Sequence, residues 1–142
     1  MPTAVLLDTC AVIWLANGDK LRQGAIEAIV AAGLAGGIFV SPVSAWEIGM
    51  LARPRGADRP RLQFLPDAKA WFARVMAGAG IRPAPLTPDI AIDASQLPGE
   101  PHGDPADRMI VATARHLGAS VVTRDSRILA YARRGHVAAI RC

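Results

Sequence analysis

Five short strand-like runs, at residues 4–7, 38–40, 81–83, 120–123 and 137–140, alternate with segments whose apolar residues recur at helical spacing. Strands that are separated by helices have no tight hairpin with which to pair antiparallel, so the pattern predicts a parallel sheet covered on both faces, a three-layer α/β fold. Helices are expected over 10–16 and 21–34, split by the turn residues Asn17-Gly18-Asp19. Ser41-Pro42 supplies a cap with proline at the first helical position and starts a helix running to about Ala52. Residues 53–61 contain two prolines and a glycine and read as an exposed loop. Further helices are expected from Pro66-Asp67 through Ala77, from Thr87-Pro88-Asp89 to near Leu97, over 106–117 and over 126–133. Asp104-Pro105 opens the third of these and Gly118 closes it.

A length of 142 residues suits one domain spanning 1–142, and 51% apolar residues exclude a disordered chain. The apolar stretch 28–40 has 13 residues including three glycines, short of the roughly 18 that a bilayer requires. The amino end reaches Asp8 with no basic segment or long apolar core before it, so a cytoplasmic protein without membrane attachment is expected. Cys10 and Cys142 show no disulfide or zinc spacing and read as free thiols. The net charge of +4 comes from 14 arginines and two lysines against 12 acids. A basic surface suits a polyanion, although arginine bias also arises from genome composition.

Several acids stand where a stable core would not place them. Asp8 follows Ala-Val-Leu-Leu and Asp125 follows Val-Val-Thr-Arg, so both lie at the carboxyl ends of strands, where open parallel sheets gather ligands. Either residue alone is equally well explained as a turn aspartate. Glu47 shares a helical stripe with Val43, Ser44, Met50 and Leu51, a face expected to point at the core, unless rotation lets it reach solvent beside Trp46. A buried unpaired carboxylate costs several kcal/mol and must be neutralised, paired or bound to a cation. Asp104 is accounted for as the helix cap, whereas Asp107 shares a face with Ile110, Val111 and Ala114 and points inward. Carboxylates converging on one edge repel one another, and hard oxygen donors of this kind suit Mg²⁺ or Mn²⁺. Such an ion activates water and stabilises the oxygens of a phosphodiester under attack.

Four blocks, Leu-Leu-Asp8-Thr9, Ser-Pro-Val-Ser-Ala-Trp-Glu47-Ile-Gly, His102-Gly-Asp-Pro-Ala-Asp107-Arg-Met-Ile-Val-Ala and Val-Val-Thr-Arg-Asp125, together resemble the ordered signature of PIN-domain ribonucleases. The likeness spans nearly the whole chain and extends to the toxin components of VapBC-type toxin–antitoxin pairs. It implies an α/β/α fold with a mostly parallel five-stranded sheet. Asp8, Glu47, Asp107 and Asp125 are implied as the catalytic metal-binding acids, with Mg²⁺ or Mn²⁺ as cofactor. Asp104 is implied as outer support, and Thr9 and Thr123, beside the strand ends, are placed to hydrogen-bond a carboxylate, a water or a phosphate. The resemblance also implies an RNA substrate, a homodimer, and a cognate antitoxin whose carboxy-terminal segment crosses the active-site groove. Gly103 and Ala106 depart from the usual Arg and Phe of the third block, a difference that bears on substrate or partner contacts.

Arg53, Arg55, Arg59 and Arg61 put four positive charges in nine loop residues, which reads either as added RNA phosphate affinity or as a solvated loop. Trp14, Trp46, Trp71 and Phe72 read as core residues, with a place in the groove as the alternative. A receiver domain would need a lysine at a late strand end, and a haloacid-dehalogenase-like phosphatase would need an aspartate where Cys10 stands. A catalytically silent PIN fold that binds RNA or an antitoxin is the remaining competitor, and DNA is not excluded as a substrate.

Overall fold

The computed structural model describes residues 4–53, 62–99, 101 and 103–142. Its order is β1 (Val5–Leu7), α1 (Thr9–Asn17), α2 (Gln23–Leu34), β2 (Ile38–Val40), α3 (Pro42–Ala52), α4 (Ala68–Met76), β3 (Ile81–Pro83), α5 (Pro88–Ser95), α6 (Pro105–Leu117), β4 (Ser120–Thr123), α7 (Ser126–Arg133) and β5 (Ala138–Arg141). The five strands form one sheet in the order β3-β2-β1-β4-β5, and every pairing is parallel. Leu7 pairs with Val40 on one side and with Val122 on the other, so β1 is central.

Alternation along the strands divides the core into two layers. Leu6 and Val121 face the apolar side chains of α5, α6 and α7, among them Ile90, Ile110 and Ile128. Val5, Leu7 and Val122 face the opposite layer, which holds Val12, Ile29, Ile48 and Phe64. Strands buried on both faces lose their polar alternation, which is why β1 and β4 read as continuous apolar runs.

The chain order 1-2-3 fills one side of β1 and then returns to place β4 on the other. That reversal opens a crevice between the carboxyl ends of β1 and β4. The helix caps are those predicted: Ser41, Thr87 and Asp104 begin α3, α5 and α6, and Gly118 ends α6 in the left-handed region at φ 64°. Boundaries differ by one or two residues. The first helix starts at Thr9 because Asp8 caps it, the second at Gln23, and the last strand is shifted by one residue to Ala138–Arg141.

Two expectations are corrected. Met50, expected on the core stripe of α3, is 40% exposed, because Val43, Ser44 and Ile48 form the buried side of that helix. Trp46, expected in the core, is 61% exposed, whereas Trp14, Trp71 and Phe72 pack partly buried against the second layer. Of the arginine loop, residues 54–61 lie outside the described residues, so Arg55, Arg59 and Arg61 have no structural account, and Arg53 is exposed at the end of α3. No helix among the described residues is long and apolar enough to cross a membrane.

Candidate metal centre

Asp8 follows the central strand directly and is 8% exposed. Its Oδ1 accepts the backbone N–H of Ala11 at 2.8 Å, so the carboxylate caps α1, and its Oδ2 accepts the hydroxyl of Thr123. Thr123 is fully buried at the end of β4, and its hydroxyl oxygen also accepts the N–H of Asp125 at 2.9 Å. One threonine thus ties the acid at the end of β1 to the acid after β4, across the crevice where strand order reverses.

Asp125 caps α7 through the N–H groups of Arg127 at 2.8 Å and Ile128 at 3.1 Å. Glu47 is half-buried on α3 and accepts the hydroxyl of Thr9. The buried hydroxyl of Ser44 lies 3.1 Å from that same threonine oxygen. Asp104 accepts the N–H of Asp107 at 3.0 Å and so caps α6, leaving Asp107 half-buried in the first turn above Ile110, Val111 and Ala114.

The electrostatics report how near these groups stand. Burial pushes the Asp107 carboxyl up to about 7, and the charges of Asp104, Asp125, Glu47 and Asp8 add to the shift in that order. Burial also raises Asp8; the hydrogen bonds from Thr123 and Ala11 oppose it, and the charges of Asp125 and Glu47 reinforce it. Asp8, Glu47, Asp107 and Asp125 therefore feel one another at one edge of the sheet. As the side chains stand, no three His, Cys, Asp or Glu residues among the described ones form a set that would hold an ion. Their hydrogen bonds account for this, since Asp8 and Asp125 are turned to helix N-termini and Glu47 to Thr9. The donor chemistry nonetheless fits a hard divalent cation: all are carboxylate oxygens, each with a second lone pair beyond its present hydrogen bond, and positive charge relieves their mutual repulsion.

A pH prediction follows from the raised carboxyls. An acid whose folded value exceeds its unfolded one binds its proton more tightly in the native state, so the stability it contributes is present at low pH and lost as pH rises through the folded value. Metal-free protein is expected to melt higher at pH 5.5 than at pH 8, the stability falling as pH rises above the ordinary value of 3.8 and levelling off beyond the value of about 7 at Asp107. Thermal melts across that range check it, and Asp107→Asn should flatten the dependence.

Sequence reasoning placed all four acids and both threonines at this edge but passed over two features. Ser44, one helical turn before Glu47, buttresses Thr9, and its position in the second block was the available signal. Arg124, between Thr123 and Asp125, stacks its guanidinium 3.8 Å from the centre of the Trp14 ring, a contact across the fold that spacing could not reveal.

The model of the PIN domain family matches residues 5–134. Ribonuclease VapC22 of Mycobacterium tuberculosis (strain ATCC 25618 / H37Rv) is 34% identical over 127 residues, covering 89% of this chain and 90% of that protein. Among solved structures, a chain of VapBC2 from Rickettsia felis, bound to a DNA fragment from their promoter, superposes with a TM-score of 0.66 at 11% identity, covering 97% of this chain and 98% of that one. A chain of FitAcB from Neisseria gonorrhoeae superposes with a TM-score of 0.54 at 19% identity, covering 96% of each. At such identities the two structures speak to the fold, while the family match and VapC22 speak to descent. With four acids at the carboxyl edge of an all-parallel sheet, and both matches spanning most of its length, the chain belongs to the PIN-domain family.

Proposed function

We propose that this chain, as a single PIN domain over residues 1–142, is the toxin of a type II toxin–antitoxin pair and acts as an endoribonuclease that hydrolyses RNA phosphodiester bonds with a divalent cation. The observation that carries the reading is the convergence of Glu47, Asp107 and Asp125 on the buried Asp8 at the reversal of strand order, close enough that their charges help to raise the carboxyls of Asp8 and Asp107. The 34% identical relative is a ribonuclease, which supports RNA as the substrate class.

Asp8, Glu47, Asp107 and Asp125 would hold Mg²⁺ or Mn²⁺. The cation, when bound, supplies Lewis-acid activation of water and neutralises charge on the phosphodiester. Thr123 fixes the angle of Asp8 through Oδ2, and Thr9 with Ser44 restrains Glu47. Asp104 supports the first turn of α6, on which Asp107 rides. The Asp107 carboxyl, protonated in part near neutrality, must release its proton to act as a ligand, so loading weakens below pH 7. Arg53, Arg55, Arg59 and Arg61 are proposed as phosphate contacts.

For the antitoxin and a second copy, the surface offers apolar area. A cavity of about 350 Å³ between α1 and α4 is lined by Leu7, Val12, Leu15, Trp71, Val75 and Ile81. Ile26, Val30 and Leu34 stand exposed at four-residue intervals on α2. The matched structures are complexes named as VapBC and FitAB assemblies, which supports an antitoxin partner, and a cytoplasmic site of action goes with RNA cleavage.

The test is cleavage of mixed RNA by purified protein in Mg²⁺, in Mn²⁺ and in excess EDTA. Cleavage with either metal and none with EDTA is expected; cleavage that persists in EDTA overturns the metal-dependent mechanism.

A further inference from the structure

The site just described has a net negative edge, and RNA is a polyanion. Affinity for the substrate must therefore come from cations nearby. A recess of about 490 Å³ lined by Lys20, Leu21, Arg22, Arg124, Arg141 and Cys142 supplies them. It lies on the same carboxyl edge of the sheet as the acids, because Arg141 ends β5 in register with Thr123 and Arg124 follows Thr123 directly. Four cations line it. Moving along the edge from β1 to β5, the chain presents first Asp8, then Asp125, then this basic hollow.

Arg124 is held in place before any ligand arrives. Its Nε donates to the carbonyl of Cys142 at 3.1 Å, its Nη2 to the carbonyl of Lys20 at 2.8 Å, and its plane rests on Trp14. Two of five guanidinium donors are thereby used. The recess also receives the start of α2. Arg22 occupies the cap position there with no side-chain hydrogen bond to the helix, and no acid lies in the first turn of the 12-residue helix, so its partial positive charge is met there by the Cys142 oxygen, which accepts the N–H of Arg22 at 3.4 Å, and not by an acid of its own first turn. Two independent sources of positive potential, side chains and helix end, meet where the edge continues from the acids.

We infer that this recess is a second phosphate subsite, which holds a backbone phosphate of single-stranded RNA flanking the bond to be cut. The inference rests on the proposed ribonuclease activity and names how that site takes its substrate. RNA is favoured over an acidic peptide because the recess adjoins the acids through consecutive residues, as a substrate strand passing over the site requires.

The test compares wild type with the combined variant Lys20→Ala, Arg22→Ala, Arg141→Ala, which spares Arg124 and the acids. Binding of a 12-nucleotide RNA in EDTA is measured against salt concentration, with melting temperature as the control for folding. Loss of that one phosphate contact should flatten the salt slope by about 0.7, which weakens binding by about four-fold at 0.15 M salt. In cleavage with Mn²⁺, KM for a long RNA should rise by a similar factor with kcat little changed, while a dinucleotide, too short to reach the recess, should be cut equally by both proteins. If wild type cleaves RNA but the variant binds with the same slope and affinity, the subsite is overturned and the nuclease reading stands. An intact RNA slope with weakened binding of an acidic peptide would assign the recess to a protein partner, again overturning it. Wild type that neither binds nor cleaves RNA would overturn both.

Discussion

Asp8→Asn should lower RNA cleavage by about 10²- to 10³-fold, the cost typical of losing one preorganised charge-stabilising group, and leave the protein folded. The structure explains why the two effects separate. Asparagine caps helices about as well as aspartate, so its amide oxygen can keep the N–H of Ala11 that Oδ1 now accepts. Its amide group can donate to the Thr123 oxygen, which keeps that contact with its direction reversed, at the cost of the acceptor that the Thr123 hydroxyl hydrogen now finds in Oδ2. What disappears is a charge that burial and the charges of Asp125 and Glu47 already disfavour. The metal-free variant should therefore melt at or above wild type at pH 7.5. An inactive variant that also melts far lower would make Asp8 a structural cap.

Thr123→Val should lower stability and activity together. Valine has nearly the same shape, and the position is fully buried, so packing is kept while the hydroxyl is lost. That hydroxyl serves two groups, donating to Asp8 and accepting from the N–H of Asp125 at 2.9 Å. Each group left unsatisfied costs about 1 to 3 kcal/mol, which for a chain of this size lowers Tm by about 5 to 15 °C. Asp8 also loses the contact that orients it, and cleavage should fall about 10- to 100-fold, the usual range for removing support behind a metal ligand. A variant with wild-type melting and wild-type activity would show that Thr123 does not position Asp8.

The sheet was legible because β1 and β4 are buried on both faces and their sequences say so, and because Ser41-Pro42, Asp104-Pro105 and Gly118 mark helix ends by local chemistry. Asp107 was legible as an inward acid from its shared face with Ile110 and Val111. Trp46 was not, because the turn of α3 that buries Val43, Ser44 and Ile48 is set by the neighbouring helices and not by α3 itself. For Asp8 the structural reading as a turn aspartate stood as the alternative to the strand-end acid, and the two uses coexist in one side chain, which caps α1. The hydrogen bonds from Thr9 to Glu47 and from Thr123 to Asp8 join residues 38 and 115 positions apart, and only the fold discloses such pairs.

Titration of Mn²⁺ into wild type and into Asp8→Asn, Glu47→Gln, Asp107→Asn and Asp125→Asn, followed by calorimetry at pH 7.5, tests most directly that these acids share one cation. Saturable binding with one dominant site is expected in wild type. Each substitution should weaken it, and the heat should carry proton release that is lost in Asp107→Asn, the acid raised to about 7. Wild-type Mn²⁺ affinity in all four variants would contradict the shared site and remove the basis for metal-dependent cleavage at this edge.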